Sequence, residues 1–128
     1  MHLNEIITIL REVPEYEEGH HLHRPYLTAY QLAIRFAQRF PNHPTVITLL
    51  LGGEGTGQYQ SLAQTIARFL SQEIAAQRSQ GIEGGFLSHQ DIQSLAFTTG
   101  TVTIMPSTLR TKHGQSIFRY NLTPNSDM

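Results

Sequence analysis

Apolar residues recur every three or four positions through the first 75 residues of the chain, and after that the rhythm changes to alternation. Leu3, Ile6, Ile7, Leu10 and Val13 carry a helical period that Pro14 stops, which predicts a first helix over about residues 2–13. Thr28 and Gln31 have the spacing of a capping box, in which the threonine oxygen accepts from the amide three residues on and the glutamine reaches back. Leu27 and Leu32 sit where a hydrophobic staple would, and Tyr30, Ala33, Ile34, Ala37 and Phe40 continue the face as far as Pro41. A second helix over about 26–40 follows. Leu62, Ile66, Phe69, Leu70 and Ile74 share one face of a third helix, over about 58–78, with Ile66 and Phe69 expected innermost. Thr56 could cap this helix early. Ser61 and Gln64 repeat the capping-box spacing, Arg78 complements the helix dipole, and Gly81 offers a left-handed cap.

The segments between these helices read differently. Pro14 to Pro25, broken by Gly19, is expected as a surface loop. The apolar run Val46 to Leu51 suits a buried strand, with a short buried helix as the other reading. Gly81 to Gly85 reads as a flexible link. Beyond it Leu95 and Phe97, Val102 and Ile104, then Phe118, Tyr120 and Leu122 alternate, with turn signals at Thr99–Gly100 and His113–Gly114. This predicts a three-stranded meander. The whole is expected to be α+β: one domain, residues 1–128, with three helices packed on a small, mainly antiparallel sheet formed largely by residues 93–122.

Composition narrows the function classes. Charged residues make up 15% of the chain, below the value of about 25% usual in globular domains, and uncharged polar residues fill the gap. A weakly self-repelling surface leaves association between copies inexpensive, so a homo-oligomer is expected. With 9 basic and 10 acidic side chains, the formal net charge of −1 gives little drive toward a phosphate backbone. The absence of cysteine excludes disulfides, thiolate metal sites and a cysteine nucleophile. No apolar run approaches the roughly 18 residues of a membrane span, and no secretory pattern opens the chain, so a cytoplasmic protein is expected.

Three constellations could carry chemistry. Gly53, Glu54, Gly55, Thr56 and Gly57 lie between the apolar run and a helix start, where close backbone approach and free amides attract anions. No Lys-Ser or Lys-Thr pair follows, the spacing misses the dinucleotide fingerprint, and Glu54 would repel phosphate. His20, His21 and His23, near Glu17 and Glu18, supply ligands suited to zinc or another divalent transition metal, although adjacent side chains in an extended segment point apart. Arg110, Lys112 and Arg119, with Arg68 on the third helix, could form the basic hairpin and recognition helix of a winged helix-turn-helix. Against this stands the long separation of Phe40 from Ser61, since a helix-turn-helix joins its helices by about three or four residues. No nucleophile sits in a recognisable elbow and no cofactor is implied. The expectation is a non-catalytic binding or assembly protein that self-associates. A nucleic-acid-binding regulator and a small enzyme or anion-binding protein at the glycine turn are the alternatives.

Overall fold

In the computed structural model, which describes residues 1–15, 17–52, 61–92, 95–100, 102–104 and 115–121, the first apolar stripe forms α1, Leu3–Arg11. The Glu5 carboxylate accepts from the His2 amide at 2.8 Å, placing an acid in the first turn where the helix dipole favours it. Ile6, Ile9 and Leu10 are buried. Leu27–Thr28 is a two-residue strand, β1, that runs directly into α2, Ala29–Arg39. Thr28 serves both elements. Its backbone belongs to β1, its hydroxyl accepts from the Gln31 amide at 3.2 Å, and its own amide donates to Gln31 Oε1 at 2.7 Å. Leu27 and Leu32 are buried, as the staple requires, and Ala33 and Phe36 complete the inner stripe.

The capping box at Ser61 and Gln64 also forms, at 3.1 and 3.3 Å, and opens α4, Leu62–Ala75. Leu62, Ala63, Ile66 and Leu70 are buried, whereas Phe69 is only half-buried. The inner face is therefore centred on Ile66 and Leu70, four residues apart, and Phe69 sits at its margin. The helix ends in a Schellman turn: the Gln77 amide donates to Ile74 O at 3.0 Å and the Arg78 amide to Glu73 O at 2.8 Å. The left-handed position of that turn is Gln77, with φ 60°, and not Gly81 as expected. Gly81 instead turns the chain into the sheet, its carbonyl accepting from the Asn121 amide at 2.9 Å.

The run after α2 is helical where a strand was expected. Pro44 at the first helical position and His43 Nδ1, accepting from the Thr45 amide at 3.1 Å, start α3, Pro44–Thr48. Val46 and Leu49, three residues apart, pack against the core, while Ile47 and Leu50 are 69% and 68% exposed. The run is thus neither a buried strand nor a buried helix.

The sheet draws on more of the chain than its alternating part. Ile82–Leu87, read as a flexible link, is β2, and Gln115–Tyr120 is β5; the antiparallel order is β1-β5-β2. Phe97–Thr99 and Val102–Ile104, β3 and β4, pair with each other around Gly100, which has φ 58°. Among the described residues β3, β4 and β5 do not form the expected meander, because β5 is the central strand of a separate sheet and its two edges are taken by β1 and β2. Gly84 explains why β2 escaped its pattern. A Cβ there would lie 2.8 Å from Ile74 Cδ1 and 3.2 Å from the Phe118 ring, so the glycine lets α4 press against the sheet. The architecture is α+β, with α1 and α2 against β5, and α4 against α2 and β2.

An unstrained residue at the left-handed turn tests this account of the α4 terminus. Gln77→Gly should raise stability by about 1 kcal/mol, because glycine adopts positive φ without the Cβ clash. The expected reading is a higher denaturant midpoint at unchanged slope. A lower midpoint would show that Gln77 holds the turn by other means.

Candidate functional site

A helix start draws an anion when its first amides lack partners. In α4 they have them. Leu62 N–H donates to Leu50 O at 2.7 Å, Ala63 N–H to Leu51 O at 3.0 Å, and Gln64 N–H to Ser61 Oγ at 3.1 Å. Gly52 makes this possible: its φ is +133°, and a Cβ would come within 3.1 Å of the Tyr30 ring and 3.3 Å of Ala63 Cβ. The described end of the glycine turn therefore joins the chain to α2 and α4 and gives the first α4 amides partners. Gly53, Glu54, Gly55, Thr56 and Gly57 lie outside the described residues.

The histidine segment is a series of turns, not an extended strand, and this changes what its imidazoles do. His20 and His21 stack, ring centroids 4.2 Å apart, instead of pointing apart. His20 Nδ1 accepts from the Leu22 amide at 3.0 Å, and His23 has φ 63°. Among the described residues no three His, Asp or Glu side chains converge as metal ligands.

Arg119 ties this loop to the sheet. Its Nε donates to Glu83 Oε2 across the strands at 2.7 Å, while Nη1 reaches the carbonyls of Leu22 and Arg24. The guanidinium also lies over the Tyr26 ring, 4.5 Å from the centroid. Glu83 accepts a second bond, from Asn121 Nδ2 at 2.6 Å. Next along β5, Tyr120 has the guanidinium groups of Arg11 and Arg24 at 5.7 and 5.8 Å from its ring, and Arg24 Nε donates to Val13 O. Burial alone would push the Glu83 carboxyl up. The bonds from Asn121 and Arg119, with the charges of Arg119 and His23, outweigh that and hold it below the ordinary glutamate value.

Of the four cations expected to face nucleic acid, Arg110 and Lys112 lie outside the described residues. The other two are not brought together. Ile74 of α4 meets Gly84 and Phe118, and Arg119, next to Phe118 along the strand, points to the opposite face of the sheet. Arg119 therefore belongs to the histidine loop, while Arg68 stands exposed on α4 with Gln64 and Gln72 four residues to either side. A further feature went unread in the sequence. A cleft of about 710 Å³ opens between α2 and β3, lined by Gln31, Arg35, Gln38 and Arg39 from α2, by Glu12 beyond the end of α1, and by Phe97 and Thr98 opposite. The spacing of those polar positions, and the lack of any acid in α2, was the available signal.

The Arg119 bridge gives a pH signature. A carboxyl held low in the folded state contributes stability that is present above the ordinary value of 4.5 and lost as pH falls below it. Glu83→Gln should destabilise the fold by about 1 kcal/mol at neutral pH, a figure reduced for partial exposure. The gap to the wild type should close below pH 4.5, followed by chemical denaturation across acid pH. A gap constant with pH would show that Glu83 acts by shape alone. Set against family models, curated proteins and solved structures, the chain finds no match among any of them, so its function has to be argued from this geometry.

Proposed function

We propose that this protein is a non-catalytic binding module that engages nucleic acid with the exposed face of α4. The carrying observation is the placement of that face. Gln64, Arg68 and Gln72 form one exposed stripe on a helix packed against α2 and braced by the sheet. Arginine and glutamine are side chains that pair with base edges and phosphates; Arg68 and Gln72 supply them, since Gln64 Oε1 already accepts from the Ser61 amide, and no acid shares the stripe. Support also comes from topology: with α3 and the β3-β4 hairpin set aside as insertions, the order α1, β1, α2, α4, β2, β5 and the strand arrangement β1-β5-β2 resemble a winged helix. This is analogy at the level of fold, and the stripe carries the chemistry. Although a long connection separates Phe40 from Ser61, α2 packs on α4, and the Leu50 and Leu51 carbonyls accept from the first amides of α4.

The reading implies modest affinity, since the chain is nearly neutral and Arg119 is committed to Glu83. Self-association draws on a different surface. β2 is an edge strand among the described residues and carries Phe86, 63% exposed, so assembly and nucleic-acid binding are separable.

Fluorescence anisotropy with labelled duplex DNA and RNA at low ionic strength tests the proposal. The wild type is expected to bind with an affinity that falls as salt rises, and Arg68→Ala with Gln72→Ala should weaken binding by about tenfold or more with no change in melting midpoint. A wild type that shows no salt-sensitive binding to either duplex rejects it.

A further inference from the structure

The cleft between α2 and β3 lies apart from the α4 stripe and rests on separate observations. α2 presents Arg35 and Arg39 four residues apart on one face, and like charges at that spacing repel. Only Arg39 is compensated, by Glu12 Oε1 at 3.4 Å, and both partners are about half exposed, so that pair is easily exchanged. Arg35 makes no ion pair or hydrogen bond among the described residues. Gln31 and Gln38 flank it, and Gln38 is steadied by a bond from Nε2 to Thr99 Oγ1 at 3.3 Å. Phe97, held flat against Tyr30 with ring centroids 5.4 Å apart, closes the far wall with Thr98. The volume of about 710 Å³ lies in the range of small-molecule sites, and the chemistry of the lining selects the class of occupant.

We infer that this cleft binds a compact phosphate-bearing anion between the guanidinium groups of Arg35 and Arg39. The anion takes the place of the Glu12 carboxylate on Arg39, adds the counter-charge that Arg35 lacks, and accepts the forked donors that planar guanidinium groups offer to phosphate oxygens. Gln31 supplies a neutral donor at the rim. The same chemistry could come from a free phosphate or a phosphate monoester, and the experiment separates both from a phosphate of a nucleic-acid strand.

Thermal melting of the full chain is followed at constant ionic strength with inorganic phosphate, with a nucleoside 5′-monophosphate, and with a short DNA duplex. The expected result is a midpoint that climbs with the concentration of inorganic phosphate or the monophosphate. Arg35→Gln should weaken that response by about ten- to a hundredfold, while Arg68→Ala leaves it intact. Arg35 is exposed, so both variants should melt like the wild type without ligand. No response in the wild type, or an equal response in Arg35→Gln, overturns the site. A response to the duplex alone that Arg35→Gln removes also overturns it, because the cleft then belongs to the nucleic-acid surface. Loss of duplex binding in Arg68→Ala has no bearing on the phosphate response, so the two proposals fail separately.

Discussion

The burial of α2 is the constraint on which the other elements depend. Leu32, Ala33 and Phe36 lose all contact with water, and α2 packs against α1, α4, β1, β5 and β3. Placing a side chain the size of Phe36 in such a core removes several kcal/mol of unfavourable hydration, and truncating one there costs about 3–5 kcal/mol. Local signals at the two ends of the helix fix where this burial happens. Thr28 and Gln31 close the N-terminus, and at the C-terminus the Phe40 amide returns to Phe36 O at 2.8 Å while the Phe40 and His43 rings meet Phe36 at about 5.1 Å. His43 Nε2 also approaches Glu5 of α1 at 3.5 Å. The start of α3 is thereby fastened to both of the helices before it.

What could be read from the sequence was local and periodic. Capping boxes announced α2 and α4 because their partners are three residues apart, and the stripes of α1, α2 and α4 follow from a face that must be buried. Where two causes compete for the same residue type, the reading failed. Glycines mark flexibility and also close approach, and at Gly84 the second cause holds, which hid β2. Apolar runs suit strands and short helices alike, and at α3 a proline and a capping histidine decide the matter. The non-local partners were out of reach altogether. Glu83 and Arg119 are 36 residues apart, and nothing in either neighbourhood says that Arg119 will hold the carbonyls of Leu22 and Arg24 and so secure the histidine loop.

The same distinction divides the candidate sites. Around the glycine turn, whose candidate residues 53–57 lie outside the described residues, Ser61 and the Leu50 and Leu51 carbonyls satisfy the start of α4, and in the histidine loop His20 braces its own turn. Arg68, a candidate from the sequence, and Arg35, which was not one, face outward on the two central helices, as does Arg39 beside Glu12. Function is therefore sought on the outer faces of α4 and α2, while their inner faces hold the core.

Native-state hydrogen exchange tests the central role of α2 most directly, because it ranks elements by the free energy needed to open them. The amides of Leu32 to Phe36 should be among the slowest in the protein, together with those of Ile66 to Leu70, and should exchange only through global unfolding. Exchange of the α2 amides through a lower-energy opening, while β2 and β5 stay protected, would contradict the account.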